Sequence, residues 1–332
     1  MDKKARSVSE KEKDDEETIL RIVACDVCGA PGSTIVFSCN YFPQDISEPQ
    51  NVVRCDECGL LFTRPRPGRE AITRLYQKYY LSTAPSGTLV GGSSFIRRHP
   101  ALRRLWHLYC GQYLGYVLKN AHGRVLDIGC GTGGLLEELS RNGCEPHGVE
   151  LNPDSVEICR KKGLDVQQGD LEDFEFEDDC FDSIILWHVI EHVPSPTRTL
   201  EKIRKILKPG GSIYLFLPNA GSYLTKIFGV NWFPWQIPFH FYHFTPRTFS
   251  AIAQKCGFKV DRLKAVTPEY YLSYSYDLWV KSTSKKKRSV IIMKILNSFY
   301  FRLSSAAVFR ILDVIFYGQG ECLHIKLTKP MP

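Results

Sequence analysis

The segment Arg124–Leu136 reads RVLDIGCGTGGLL and joins the end of an apolar run to a glycine-rich turn and a second apolar run. Val125, Leu126 and Ile128 predict a buried parallel strand, and Leu135 predicts the start of a helix. Glycines let a ligand approach the backbone closely, and a helix N-terminus presents unpaired N–H groups. The segment therefore predicts an α/β domain that binds a nucleotide.

Two classes of nucleotide fit such a turn, because Gly129, Gly131 and Gly134 also match the dinucleotide pattern G-x-G-x-x-G. The acid before the turn separates the two classes. Asp127 would repel a pyrophosphate but attract a ligand that carries an ammonium and a sulfonium group, as S-adenosylmethionine (SAM) does. Glu150 ends a second strand-like run, where a carboxylate can bind ribose hydroxyls. The pattern favours SAM over NAD(P).

Six ordered segments extend this pattern: VLDIGCGTG, VELNPDSVE, QGDLED, FDSIILWHVIEHVPSP, LKPGGSIYLFLPN and CGF. Together they resemble the class I SAM-dependent methyltransferases, in the branch that includes quinone and sugar methyltransferases. The resemblance covers about residues 123–332. It implies a Rossmann-like α/β fold, in which a seven-stranded sheet of order 3-2-1-4-5-7-6 carries helices on both faces. It also implies a set of cofactor-binding residues: Asp127, Gly129, Cys130, Gly131, Gly133, Glu150, Leu151, Asp170, Leu171, Trp187 and His188.

A repeated Cys-x-x-Cys-Gly motif precedes this domain, at Cys25 to Gly29 and again at Cys55 to Gly59. Two such pairs supply four thiolates, which is the ligand set of a structural zinc ion. The ligands would be Cys25, Cys28, Cys55 and Cys58. The spacing between the pairs is longer than is common, and a set of buried free thiols is the alternative. The sequence predicts a zinc-ribbon-like module over residues 21–66.

The remaining organisation follows from composition. We predict a disordered charged tail over residues 1–20, a helical linker or lid over 67–122, the methyltransferase domain over 123–332, and a helical insertion in it at about 268–318. The run from Cys58 to Pro67 and the tyrosines after it resemble a bacterial subgroup of these enzymes. That resemblance implies that Tyr76 and Tyr80 cover the methionine end of SAM.

The segment after the fourth strand contains His188-x-x-Glu191-His192, which also matches a zinc-protease pattern. Because the pattern follows a strand and is soon interrupted by prolines, the protease interpretation fails. A catalytic metal at Glu191 and His192 is disfavoured, since His188 stands where a further carboxylate is expected. A general base is then required, and the candidates are histidines. They are His240, which is favoured, and His188, His192 and His243.

The sequence says which classes of methyl acceptor are excluded but does not identify the acceptor itself. The chain has neither the Asn/Asp-Pro-Pro-aromatic element of amino-methylating nucleic-acid enzymes nor a Pro-Cys nucleophile, and no nucleic-acid partner is expected despite the net charge of +7. A small molecule, a sugar or a lipid-linked glycan remains, methylated on oxygen or carbon. The alternatives are an NAD(P)-dependent oxidoreductase and a non-catalytic binding module with a SAM-type fold.

The segment 285–317 begins with Lys285-Lys286-Lys287-Arg288 and continues as an amphipathic run. Such a run suits the inner face of an anionic membrane, although packing on the domain or on a dimer partner is favoured. We recognise no signal peptide, and twelve cysteines indicate a reducing compartment, so a cytoplasmic protein is expected.

Overall fold

A computed structural model describes residues 20–21, 23–39, 49–76, 78, 112–268, 270–283, 292, 295–296 and 298–332. Residues 1–19 of the predicted charged tail, residues 79–111 of the predicted linker or lid, which include Tyr80, and the basic cluster at 285–288 lie outside the described residues.

The strands, in chain order, are β1 Leu20–Arg21, β2 Ser33–Cys39, β3 Gln50–Cys55, β4 Leu61–Arg64, β5 Arg66–Pro67, β6 Arg124–Ile128, β7 Glu145–Glu150, β8 Val166–Gln168, β9 Phe181–Trp187, β10 Leu207–Pro218, β11 Tyr242–His243, β12 Lys259–Val266 and β13 Cys322–Thr328. The α-helices are α1 Arg69–Leu75, α2 Gln112–Asn120, α3 Gly134–Arg141, α4 Pro153–Lys161, α5 Pro196–Ile206, α6 Tyr223–Phe228, α7 Pro246–Lys255, α8 Tyr270–Ser282 and α9 Phe299–Ile315.

The main sheet has seven strands in the order β12-β13-β10-β9-β6-β7-β8. Five adjacent strands, β8, β7, β6, β9 and β10, are parallel to one another. β13 is antiparallel to both of its neighbours, β10 and β12. Numbered within the domain, this is 3-2-1-4-5-7-6. The predicted fold class and strand order are therefore confirmed.

The central strands are buried because helices cover both faces of the sheet, which explains their continuous apolar runs. Ile184, Ile185 and Leu186 of β9 are at most 1% exposed. The helices contribute leucines at helical spacing, such as Leu135 and Leu139 of α3. Burial of these runs sets the register of the sheet and aligns the carboxyl ends of β6, β7 and β9 at one edge.

A second sheet joins the N-terminal module to the rest of the chain, in the order β11-β4-β3-β2. β11 does not belong to the module. It lies in an aromatic-rich segment after β10, Trp232 to Phe244, which is called the aromatic loop, and its Tyr242 pairs with Phe62 of β4. Phe62 and Cys55 share one hydrophobic core with Leu126 and Ile184 of the main sheet. The four-stranded sheet and the seven-stranded sheet therefore share one hydrophobic core.

The chain between β12 and β13 contains α8 and α9. Asp313 of α9 accepts hydrogen bonds from the backbone N–H and the hydroxyl of Thr267, at 2.8 and 2.7 Å, which anchors α9 beside the end of β12. Within the described residues, every helix falls short of the length and apolar character that crossing a bilayer demands.

Candidate active site at the carboxyl edge of the sheet

The glycine loop between β6 and α3 is held by Glu150 at the end of β7. One carboxylate oxygen of Glu150 accepts the N–H of Gly131 and the other accepts the N–H of Asn152, each at 2.8 Å. A carbon added to Gly131 would meet nothing within 4 Å, so the space above the loop is open. Glu150 therefore fixes the loop beside a cavity edge that a ligand can enter.

The other two loop glycines are required by packing. Gly129 and Gly133 have φ values of 73° and 79°, in the left-handed region that favours glycine. A Cβ on Gly129 would lie 2.6 Å from Val189, and one on Gly133 would lie 2.3 Å from Leu164. Only glycine lets the loop pass so close to both side chains.

Asp127 is the buried acid beneath the loop, with 2% of its surface exposed. Burial, and second the carboxylate of Glu150, raise the pKa of Asp127 to about 8. A carboxyl in this state gains strongly from a cation placed beside it, because the cation stabilises the ionised form. The site is therefore suited to a positively charged ligand.

The other residues predicted to bind the cofactor differ in burial and in the contacts that they make. Leu171 is buried, the backbone N–H of Asp170 donates to Asp173, and Leu151 is 60% exposed. Trp187 packs on Phe216, with ring centroids 4.9 Å apart. Cys130 is buried beneath the loop, where burial raises the pKa of its thiol, which agrees with a packing role.

Tyr76 lies against the histidines instead of the glycine loop. Its hydroxyl is hydrogen-bonded to Nδ1 of His192, and its ring centroid lies 5.0 Å from that of Phe239. Tyr76 therefore lies beside His192 and Phe239. Its predicted contact with the methionine end of SAM stays a prediction.

Three of the four candidate histidines gather with a buried glutamate. The rings of His192 and His240 meet edge to face with centroids 4.4 Å apart, and Nδ1 of His188 lies 3.0 Å from Glu191. His188 also has a positive φ of 56°, an unusual conformation for a side-chain-bearing residue that concentrates at functional sites. His243 differs, because its Nε2 lies 3.2 Å from the hydroxyl of Thr63.

His240 has the properties of a neutral base with a fixed tautomer. Its Nδ1 lies 2.7 Å from the carbonyl oxygen of Pro234, so Nδ1–H donates there and Nε2 is left as the acceptor. Burial, and second the neighbouring His192 and His243, hold the pKa of His240 well below its usual value. Burial lowers the pKa of His192 as well, and that of His243 to about 3.

The same cluster also has the donor set of a divalent cation. Ligand atoms of Glu191, His192 and His240 lie within 4.8 Å of one another. Glu191 is 1% exposed, and among the described residues its Oε2 has no hydrogen-bond partner. A carboxylate and two imidazoles suit several divalent metals.

The four cysteines of the N-terminal motifs meet at one point, with their sulfur atoms within 4.8 Å of one another. The closest pairs, Cys25 with Cys58 and Cys28 with Cys55, are 3.4 Å apart, which is far longer than a disulfide. Tetrahedral zinc with Zn–S bonds of about 2.3 Å requires separations of about 3.8 Å. The thiols therefore fit a zinc ion.

Both Cys-x-x-Cys motifs form the same turn. The N–H of Gly29 donates to the carbonyl oxygen of Cys25, and that of Gly59 donates to Cys55, at 2.7 and 3.0 Å. Both glycines have positive φ, of 78° and 76°. The repeat in sequence is a repeat in structure.

The first turn also contacts the methyltransferase part through Asp26, a contact that the sequence did not reveal. One oxygen of Asp26 accepts from the Ser195 hydroxyl at 2.6 Å and the other from the N–H of Thr197 at 2.8 Å. These donors lie at the start of α5, so Asp26 helps to cap this helix. The capped helix follows directly after the segment that carries His188 and His192.

The sheet order with its antiparallel strand, together with the glycine loop and its two acids, defines the class I methyltransferase fold. Residues 99–263, just under half of the chain, match a family model described as "Methyltransferase domain". The segment includes the glycine loop, both acids and the histidine cluster.

The relatives and solved structures agree with this class. The chain is 30% identical over 141 residues to the ubiquinone biosynthesis O-methyltransferase of Xanthomonas oryzae, covering 40% of this chain and 59% of that protein. It is 32% identical over 131 residues to the Vibrio cholerae protein of that name, covering 36% and 54%. The chain thus spans little more than half the length of these relatives. The crystal structure of the [4+2]-cyclase SpnF shares the fold, with a TM-score of 0.50, 17% identity and coverage of 80% and 98%.

Proposed function

We propose that the chain is a SAM-dependent methyltransferase that methylates an oxygen or carbon of a small molecule, sugar or lipid-linked acceptor. The observation that carries the proposal is the buried acid beneath an open glycine loop. Asp127 suits the cationic donor, and Glu150 lies where the ribose of SAM would bind in this fold. The O-methyltransferase relatives favour oxygen as the acceptor atom.

The alternatives are weaker. An NAD(P)-dependent oxidoreductase of the dinucleotide fold has strands in the order 3-2-1-4-5-6, and β13 inserted antiparallel between β10 and β12 departs from that order. A non-catalytic module with this fold would bind SAM without turnover. The related cyclase indicates that the fold can serve another reaction.

The test begins with calorimetry, which needs no acceptor. SAM and S-adenosylhomocysteine should bind with micromolar affinity, while NAD⁺ should give no heat. Turnover is then measured as release of S-adenosylhomocysteine across phenols, catechols, sugars and lipid-linked glycans. Binding of NAD⁺ in preference to SAM would contradict the proposal, and SAM binding without turnover on all of these classes would favour the non-catalytic module.

In the proposed mechanism, SAM supplies a methyl group on a positively charged sulfur. Nε2 of His240 accepts the proton of the acceptor group, so that the oxygen or carbon becomes nucleophilic as it bonds to the methyl carbon. SAM, held by Asp127, Glu150 and the glycine loop, would supply the methyl group and keep the electrons of the broken methyl–sulfur bond on its sulfur. His192 and the aromatic loop around His240 exclude water from this proton transfer.

We also propose that zinc occupies the four-cysteine cluster as a structural ion. All four ligand positions would be filled by thiolates, which leaves none for a substrate. Zinc would hold the two turns together. Because Asp26 lies in the first turn, the zinc would also fix the position of the carboxylate that caps α5.

We expect SAM to bind about tenfold more tightly at pH 7 than at pH 6. Because its pKa is about 8, Asp127 is protonated over this range, and a cationic ligand binds its ionised form. Binding therefore releases about one proton, and each pH unit changes affinity about tenfold. Calorimetry in buffers of different ionisation heat measures both quantities. The Asp127→Asn variant should bind more weakly and lose the pH dependence.

The free protein should show the opposite trend in stability. The pKa of Asp127 is raised above its unfolded value of 3.8, so its contribution is present below that pH and is lost as pH rises towards 8. As pH rises towards 8, the melting temperature of the Asp127→Asn variant should therefore fall less than that of the unmodified protein. Equal pH dependence in the two proteins would contradict the assignment.

A further inference from the structure

Arg66 of β5 contacts both of the chain segments that contain the candidate histidines. One of its terminal nitrogens donates to the hydroxyl of Tyr242 at 2.9 Å, and the other donates to the carbonyl oxygen of Pro194 at 2.8 Å. The Tyr242 hydroxyl donates to the same carbonyl oxygen, at 3.0 Å. Tyr242 follows His240 by two residues, and Pro194 follows His192 by two. Arg66 therefore links the two histidine-bearing segments.

The guanidinium group of Arg66 also lies over two aromatic rings. Its central carbon is 4.9 Å from the ring centroid of Phe241 and 5.2 Å from that of Tyr242. Cation–π attraction at such distances adds to the two hydrogen bonds. Burial raises the pKa of Tyr242 to about 12, although the charge of Arg66 opposes that rise. The Tyr242 hydroxyl therefore keeps its proton near neutral pH and can donate it to Pro194.

The turn that begins at Pro194 is held from two sides by the N-terminal module. The carboxylate of Asp26 accepts the hydroxyl of Ser195 and the N–H of Thr197, as described above. Arg66 binds the carbonyl oxygen of Pro194. A carboxylate thus takes the donors of the turn and a guanidinium takes an acceptor, which fixes the turn relative to the module.

The two histidine-bearing segments also touch each other. The carbonyl oxygen of Glu191 accepts the N–H of Phe241 at 2.8 Å and that of Tyr242 at 3.2 Å. The ring centroids of His192 and His240 are 4.4 Å apart. Because Arg66 binds both segments close to these contacts, it limits how far the two imidazole rings can separate.

We propose that Arg66 is a positioning residue for the histidine cluster, which consists of His188, His192 and His240. Its bonds to Pro194 and Tyr242 hold the ring of His192 against that of His240 and keep water away from Nε2 of His240. Arg66 acts through these two residues and not on a substrate. Its effect on turnover rests on the proposed function, in which His240 accepts the proton of the methyl acceptor.

The experiment measures how fast diethyl pyrocarbonate modifies each histidine, by mass spectrometry of peptides, and it needs no methyl acceptor. His240 is 2% exposed, so its modification requires local opening of the structure. The Arg66→Lys variant keeps the charge but loses the planar fork of donors, and its His240 should be modified about tenfold faster. Tyr242→Phe removes only the hydroxyl and should have the same effect.

Arg64 provides the matched control, because it is a neighbouring arginine whose contacts lie within the module. One of its terminal nitrogens donates to the carbonyl oxygen of Pro31 and to the hydroxyl of Ser33. The Arg64→Lys variant should be modified at the rate of the unmodified protein. His324 of β13, which is 8% exposed, is the reference in every variant and should keep its rate.

Calorimetry should give an affinity for SAM within about twofold of normal in all three variants, since Arg66 binds neither the glycine loop nor its acids. With the first acceptor that is turned over, Arg66→Lys should lower kcat about tenfold at unchanged KM for SAM. An unchanged rate at His240 in both Arg66→Lys and Tyr242→Phe would overturn the proposal. So would equal increases at His240 and His324, which would indicate a loss of overall stability. Absence of SAM binding in the unmodified protein would contradict the proposed function alone, because the modification rates do not depend on SAM.

Discussion

The Cys55→Ser variant should lose its bound zinc and about 3 kcal/mol or more of unfolding free energy. The free energy of zinc binding at a structural site contributes to the free energy of folding. Removal of one ligand therefore lowers the free energy of unfolding. The sulfur atoms of Cys55 and Cys28 are 3.4 Å apart, and a serine oxygen is a poor substitute for a thiolate. For a chain of this size the melting temperature should fall by roughly 5–10 °C. Elemental analysis gives the zinc content and calorimetry the melting temperature.

Cys39 provides the matched control, because it lies in the same small sheet but outside the four-cysteine cluster. The Cys39→Ser variant should keep one zinc per chain and a melting temperature close to that of the unmodified protein. Chelation of the unmodified protein should reproduce the effect of Cys55→Ser. A zinc-free native protein, or full zinc content in the Cys55→Ser variant, would show that the cluster is a set of free thiols.

The His240→Gln variant should lower turnover about 10²- to 10⁴-fold while leaving the affinity for SAM within about twofold. Glutamine can still donate a hydrogen bond towards Pro234, so the loop keeps this contact, but it cannot accept the acceptor's proton. Turnover is followed as S-adenosylhomocysteine release with the first acceptor that is found. Because the pKa of His240 lies well below its usual value, the turnover of the unmodified protein at saturating SAM should persist below pH 6.5.

His243 is the control for this experiment, since it is equally buried but bonds to Thr63 instead of joining the cluster. The His243→Gln variant should keep most of its turnover if it folds, as judged by its melting temperature. Near-normal turnover in His240→Gln would remove this residue from the mechanism. Activity that is abolished by a chelator and restored by a divalent cation, in a protein that keeps its structural zinc, would instead assign Glu191, His192 and His240 as metal ligands.

The main sheet was predictable because buried parallel strands leave continuous apolar runs. The strand order came from the resemblance to the methyltransferases, and the structure has that order. The acids at the ends of β6 and β7 were also visible, since they follow these runs directly. Local patterns therefore sufficed to predict cofactor-binding residues at this edge of the sheet.

The surroundings of the histidine cluster (His188, His192 and His240) were less predictable because their contacts join distant parts of the chain. β11 has two residues and its partner β4 lies about 180 positions away, so neither periodicity nor spacing indicates the pairing. The cap that Asp26 gives to α5 is equally distant in sequence. For α9 the periodicity indicated two unlike faces, but only the contacts of Asp313 show that the polar face is the inner one.

The pairing of β11 with β4 has a practical consequence for how this protein is dissected. The N–H of Thr63 donates to the carbonyl oxygen of Phe241, and its hydroxyl donates to that of His240, at 2.9 and 2.8 Å. A truncated chain that starts after the N-terminal module would look like a complete methyltransferase domain by sequence. It would nevertheless lack β4, the strand that pairs with the loop containing His240. A fragment that keeps this pairing must therefore begin before the first cysteine pair.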